Sequence, residues 1–470
     1  MELLESIVSF GNDILWSYVL IVMLIVLGVY FTVRTKFVQF RMLGEMIKLL
    51  GGGVGASKKG ISSFQAFCVS TASRVGTGNL AGVAIAIASG GPGAVFWMWL
   101  IALIGSASGF IESTLAQIYK VKDGNVFRGG PAYYMEKALN ARWMGVLFAI
   151  LITTCFGLVF NSVQANTITL AFENAFGFNR AILGIILAAA TSVVIFGGIK
   201  RIASFTQIIV PIMAGGYIIV ALFIVLFNLS EVPVVLATIV KSAFGLQEVV
   251  GGGMGAAVMM GIKRGLFSNE AGMGSVPNAA ATAEVSHPAK QGLIQALGVF
   301  IDTLVICSAT AFVIILSGAY TTEGLSGIEL TQVALSSHIG DWATSALAIT
   351  VLMFAFSSVI GNYYYGETNI EFIKNSKTWL TIYRIAVVGM VFFGSVAKIS
   401  IVWSLADLFM GMMAVVNLIA IALLGKIAFA ALKDYNQQRS EGKDPVFQAS
   451  SIHGISNTEC WGDDDNNSNK

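Results

Sequence analysis

The residue whose chemistry is hardest to explain away is Glu270, set in the stretch Leu266 to Asn278, LFSNEAGMGSVPN, with apolar sequence running up to it and small residues after it. An ionised carboxylate at mid-membrane is costly unless paired, so such an acid is a functional candidate; a structural ion pair with Arg264 or Lys263 is the plain alternative. Ser268, Asn269, Gly272, Gly274, Ser275 and Pro277 interrupt a helix there. In hydrocarbon every backbone N–H and C=O needs an internal partner, so a broken helix is tolerated only where it lines an enclosed cavity. The carbonyls freed near Phe267 and Ser268 can accept from an ammonium group or coordinate a small cation.

A second interruption, Arg74-Val75-Gly76-Thr77-Gly78-Asn79, has complementary chemistry. Gly76, Thr77 and Gly78 let the backbone leave helical geometry and present N–H groups at a helix N-terminus, a setting that favours an anion such as a carboxylate; close helix packing is the competing use of such glycines. Further polar groups fall at similar depths. Asn161 and Gln164 share a helix face, and Phe354, Ser357, Ser358, Asn362 and Tyr365 follow a helical stripe. Ser357 and Ser358 suit a hard cation such as sodium, or bond back to preceding carbonyls. Asp302 is a candidate ion ligand, Glu112 reads as structural, and Asp407 as local to a helix start.

These groups must be carried by membrane helices. The 470 residues are 56% hydrophobic and 11% charged, far from the quarter charged residues of a soluble domain. A formal charge of +2 gives no reason to expect nucleic acid as a partner. Cys68, Cys155 and Cys307 lie in apolar segments and Cys460 in the polar tail, with no metal or disulfide spacing. No nucleophile and base stand at a usable spacing, which disfavours an enzyme. Glu2 and Glu5 stand where a cleaved leader needs basic residues, so the span from about Ile14 to Arg34 is expected to stay attached.

Eleven segments of spanning length are expected, at 14–34, 62–88, 93–119, 143–171, 180–199, 205–228, 247–285, 290–318, 342–372, 379–397 and 400–425. Loops rich in Lys and Arg, including Lys58 and Lys59 in the first and Lys120 to Arg142 in another, predict a cytoplasmic C-terminus and an outside N-terminus. The two interruptions lie five spans apart, an odd number, so the second unit enters from the opposite face. Shared features in the same order, Gly-x-Gly, a proline turn (Gly91-Pro92, His287-Pro288) and Phe-Ile-acid (Phe110-Ile111-Glu112, Phe300-Ile301-Asp302), point to inverted repeats, the mark of secondary transporters with a mid-membrane site. The expected organisation is an accessory helix and loop at 1–61, a first five-helix repeat at 62–228, an extracellular connection at 229–246, a second repeat at 247–432, and a disordered cytoplasmic tail at 433–470.

The chain resembles the alanine or glycine:cation symporter family, sodium-coupled amino-acid transporters. The stretches that carry the likeness are Gly76-Thr77-Gly78-Asn79, Gly129-Gly130-Pro131 with Tyr133-Tyr134, Arg264 through Ser275, and Tyr364-Tyr365-Gly366-Glu367. The resemblance implies an all-α integral membrane protein with 11 transmembrane helices in a LeuT-type five-plus-five inverted repeat plus one N-terminal helix. It also implies symport of a small neutral amino acid (alanine, glycine, serine or glutamine) with sodium across the cell membrane. Proton coupling, passive flow, the stoichiometry and a homo-oligomer stay open, and no cofactor is expected. By the same resemblance the substrate carboxylate meets Gly76, Thr77 and Gly78 near Gln164, and the ammonium meets the carbonyls of Phe267, Ser268 and Glu270. One sodium site draws on Ala72, Val75, Phe354, Ser357 and Ser358; a second involves Asn79, Ser268 and Asp302. Where the family commonly has Trp-Ser before Tyr-Tyr-Gly-Glu, this chain has Asn362-Tyr363. Exchanging an indole for an amide opens the pocket and leads us to expect a larger polar substrate such as glutamine.

Overall fold

A computed structural model describes residues 2–53, 60–196, 198–246, 253–452 and 455–462. Lys58, Lys59, the start of the proposed second repeat at 247–252 and the last eight residues lie outside them. The described chain is all-helical apart from a two-stranded hairpin, β1 Val121–Asp123 and β2 Val126–Arg128.

Among the described residues eight helices are long and apolar enough to cross a membrane. They are Glu5–Arg34 (α1), Gly93–Ile118 (α4), Arg142–Phe176 (α5), Ile202–Phe227 (α7), Pro288–Ser317 (α9), Trp342–Ile373 (α10), Lys377–Val396 (α11) and Ile399–Ser440 (α12). The other three segments expected from the sequence are the shorter Arg180–Ile195 (α6) and the two interrupted ones. The first interrupted segment comprises Ser63–Arg74 (α2) and Gly78–Gly90 (α3), and the second begins with Met254–Asn269 (α8).

Local signals explain where several helices begin. Ser62 and Gln65 cap α2 reciprocally, side chain to backbone, at 3.2 and 3.1 Å. The Asn179 side chain accepts the N–H groups of Ala181 and Ile182 to start α6. α9 starts with Pro288 behind His287, whose ring accepts from Ala289 N at 3.1 Å. α4 lies against both α8 and α9. The first pairing is close because α8 offers glycine: a Cβ on Gly265 would stand 2.7 Å from Ile101. α5, α10 and α11 pack together on the other side.

Glu112 of α4 shows what a buried acid can do for a fold. Its carboxylate accepts the backbone N–H groups of Gly272 and Gly274, both at 3.1 Å, and the Asn417 amide at 2.8 Å. The same amide reaches the Gly272 carbonyl at 2.9 Å, and Tyr134 closes the group by bonding Asn417. One side chain from α4 thus satisfies backbone donors that the second interruption leaves without helical partners.

The polar stretch after 432 departs from the expected disorder. α12 continues to Ser440 before the chain folds back over the helix ends. Phe447 N donates to Ser286 O at 2.8 Å, and Trp461 Nε1 donates to Gln117 O at 2.8 Å. The Phe447 ring packs edge-on against both His287 and Trp461. Two aromatic anchors hold a segment whose average composition reads as unfolded. On the same face Ile61 pairs in parallel with Ala283: Ile61 N donates to Thr282 O at 3.3 Å, and Glu284 N to Ile61 O at 3.0 Å.

Replacing Glu112 by Leu leaves the buried N–H groups of Gly272 and Gly274 without that acceptor, each costing about 1–3 kcal/mol, and removes one of the bonds of the Asn417 amide. Glu112→Leu is therefore expected to lower the thermal unfolding midpoint of the detergent-solubilised protein, followed by tryptophan fluorescence. An unchanged midpoint would mean that the carboxylate does not hold the break.

Candidate substrate and cation site

The two interruptions differ in backbone geometry. At the first, Val75 leaves the helical region at φ −82° and ψ 89°, and helix resumes within three residues. At the second, Glu270, Gly272 and Gly274 take φ values of +58°, +82° and +89° before the short helical turn Pro277–Ala280. Gly272 and Gly274 reach these angles at little cost; Glu270 does not, and strain of about 1–3 kcal/mol is tolerated at positions the surroundings over-determine.

The interruptions press against one another. A Cβ on Gly78 would lie 3.1 Å from both the Phe267 ring and the Ser268 Cα, and one on Gly76 would overlap Ser358 Oγ and sit 3.1 Å from Gln164 Oε1. Gly76 N donates to Asn79 Oδ1 at 3.0 Å and Thr77 N to Gln164 Oε1 at 3.2 Å. Neutral oxygens thus occupy N–H groups that a carboxylate would take over with stronger, charge-assisted bonds.

Two knots of oxygen atoms flank this contact. Ser358 Oγ donates to Ala72 O at 2.8 Å and to Phe354 O at 3.0 Å, and Ser357 Oγ to Phe354 O at 2.8 Å. Val75 follows Ala72 at the point where α2 ends, its N–H still bonded to Thr71 O. On the other flank Asn79 Nδ2 donates to Asp302 Oδ1 at 2.7 Å and to Ser268 Oγ at 3.0 Å, and Ser268 Oγ donates to Asp302 Oδ2 at 2.8 Å. Each knot joins a residue beside the first break to a distant helix, and all the side chains are buried.

Glu270 has other partners than the two basic residues considered from the sequence. Its carboxylate accepts from Ser73 Oγ at 2.7 Å and from Ser275 Oγ at 2.6 Å, while its carbonyl accepts from Met273 N at 3.2 Å. Arg264 and Lys263 instead turn to Asp407, at 2.6 and 3.5 Å, so Asp407 is an inter-helix partner. Ser73 also touches Asn362 Oδ1 at 2.8 Å, and Asn362 Nδ2 is buried with no partner. The single Ser73 proton serves one acceptor at a time, so one end of the Asn362 amide is left for something else.

Aromatic rings close the site on one side. Phe267 lies between Phe160 and Trp403 at centroid distances of 4.5 and 4.7 Å, with Arg264 over Trp403. Beyond them a cavity of about 510 Å³ is lined by Trp403, Arg264, Asp407, Asn174 and Glu329 among others. The Asn161 amide nitrogen bonds back to Gly157 O, leaving its Oδ1 buried without a partner, and Asn166 ties α5 to the end of α11. Ser73 and Trp403 do not stand out in the sequence, and Ser275 does so only as part of the interruption, not as a partner of Glu270. Ser73 was detectable in principle, since it precedes the Arg-x-Gly-x-Gly stretch by one residue; Trp403 had no local signal.

Broken membrane helices meeting between buried oxygen clusters define a secondary transporter rather than an enzyme. The fold is similar to that of MhsT in complex with L-phenylalanine, with a TM-score of 0.51 at 16% identity, over 80% of this chain and 96% of that one. The chain matches the sodium:alanine symporter family over residues 1–449 and belongs to it. It is similar to the probable sodium/glutamine symporter GlnT of Bacillus subtilis, 62% identical over 461 residues, 98% of this chain and 96% of that protein. It is also similar to the amino-acid carrier protein AlsT of the same organism, 59% identical over 460 residues and 98% of each chain.

If the Ser358 knot holds a cation, removing its hydroxyl should raise the sodium concentration for half-maximal uptake several-fold and leave the ranking of competing amino acids unchanged. Sodium titrations of uptake for Ser358→Ala and the parent protein test this; equal sodium affinities would remove Ser358 from the cation site.

Proposed function

We propose that the protein carries a small neutral amino acid into the cell with sodium, by alternating access around the two interruptions. The observation that carries this is the contact of Gly78 with Phe267 and Ser268. It brings the N–H groups of the first break up against the last turn of α8, where helical carbonyls run out of N–H partners, a backbone arrangement suited to both ends of a zwitterion. In this reading the carboxylate binds at Gly76, Thr77 and Gly78, displacing Gln164 Oε1. The ammonium binds at the carbonyls of Phe267 and Ser268, and the Glu270 carboxylate supplies the negative field.

Sodium is assigned to the two oxygen knots: Ala72, Val75, Phe354, Ser357 and Ser358 on one side, Asn79, Ser268 and Asp302 on the other. The repeats 62–228 and 247–432 act as inverted halves, the N-terminus faces outside and the C-terminus the cytoplasm. A cation drives transport only through its different affinity for the two conformations.

Glutamine belongs among the substrates. The unpartnered end of the Asn362 amide offers a hydrogen bond to a side-chain amide, and a relative at 62% identity is named a probable sodium/glutamine symporter. Uptake of labelled alanine, glycine, serine and glutamine into proteoliposomes, with a sodium gradient, a proton gradient or neither, tests the reading. Accumulation that needs only the sodium gradient supports it; accumulation on a proton gradient alone, or mere equilibration, overturns it. Asn362→Trp is expected to cut glutamine uptake by about tenfold or more while sparing alanine, since a site loses most where a buried polar partner is removed. Unchanged glutamine uptake in that variant would remove Asn362 from the specificity pocket.

A further inference from the structure

Arg74 closes the last turn of α2, one residue before the first break, and is 2% exposed. Its guanidinium makes one long hydrogen bond, from Nη1 to Gln295 O at 3.3 Å; Nε and Nη2 are buried without partners. No carboxylate lies within ion-pairing distance of it among the described residues. A guanidinium cannot shed its charge, and a buried ion left unpaired costs several kcal/mol. The position is nonetheless built: Gly298 of α9 leaves a notch for the group, where a Cβ would overlap Nη1.

Three buried acids, Glu112, Glu270 and Asp302, lie within its electrostatic reach. All three are held by neutral donors. Glu112 is committed to the backbone of the second break, and Asp302 to Asn79, Ser268 and Thr303. Glu270 is held by two serine hydroxyls, one from Ser73, the residue next to Arg74. The nearby Arg264 and Lys263 are engaged with Asp407. Arg264 also keeps Nε and Nη1 without partners, but its Nη2 is bound to Asp407; Arg74 has spare donors and, among the described residues, no carboxylate partner.

We propose that Arg74 is a tethered counter-cation that leaves the Gly298 notch to pair with Glu270 once sodium and substrate have gone, so that the empty carrier can reorient. This rests on the symport reading above. With substrate bound, the ammonium and sodium supply the positive charge and Arg74 is held back; after release, the N–H groups of its unpartnered Nε and Nη2 replace the hydroxyls of Ser73 and Ser275. The arrangement separates two transport modes. Net uptake needs the empty carrier to return, whereas exchange of internal for external substrate, with sodium on both sides, does not.

The test uses the full-length protein in proteoliposomes with labelled alanine. Arg74→Gln should lower sodium-driven net uptake by about tenfold or more, the scale of a lost ion pair in a two-state equilibrium, and leave exchange within about twofold. Arg74→Lys, which keeps the charge, should recover most of the net uptake. Equal loss of both modes, unchanged net uptake, or a Lys variant no better than the Gln variant overturns the proposal. Should Arg74→Gln fail to give monodisperse protein, Gly298→Ala fills the notch. It is expected to raise the sodium requirement several-fold with exchange at saturating sodium intact, and an unchanged requirement overturns the proposal. Absence of sodium-driven uptake in the unmodified protein would remove the symport reading and this proposal together, whereas intact uptake there with Arg74→Gln unaffected removes this proposal alone.

Discussion

The constraint on which this structure depends is that a peptide group inside hydrocarbon must find its hydrogen-bond partner within the protein. Among the described residues eight long helices meet it largely by themselves. Two segments do not, and much of the buried polar chemistry gathers where they fail. Glu112, Asn417 and Tyr134 serve the backbone of the second break from outside it. Asn79 and Gln164 serve the first. What remains unserved, on the backbone and on the Asn362 amide, is what a ligand can use.

The cost of interruption explains why the site is so closely packed. Gly76 and Gly78 leave no room for a side chain against Ser358, Phe267 and Ser268, so the two breaks make a single contact. Each oxygen knot then ties that contact to another helix, Ser358 of α10 on one flank and Asp302 of α9 on the other. A change at the centre is therefore felt by both α9 and α10.

The sequence revealed the breaks because their signals are local: glycines, a proline and an acid in an apolar context. It also brought out Glu270, Asp302 and the Ser357-Ser358 stripe, each odd for its surroundings. It did not reveal partners. Arg264 and Asp407 are 143 residues apart, and nothing in either neighbourhood announces the pair, so an ion pair of Glu270 with the nearest basic residues stands in the sequence as its plain alternative. Ser73 does not stand out because hydroxyls are common in membrane helices, and Ser275 stands out only as part of the break; both become informative when a carboxylate is seen to face them. The polar tail misled for the opposite reason. Its mean composition is that of an unfolded chain, but Phe447 and Trp461 are two deep anchors, and averaging hides them.

The pairing of Ile61 with Ala283 fastens the entry of the first broken segment to the exit of the second. Two stretches far apart in the sequence are thereby held together on this face. The fastening is two backbone hydrogen bonds, each worth about 1 kcal/mol net. Together they weigh roughly thirtyfold in an equilibrium, a margin that ordinary ligand binding energies exceed.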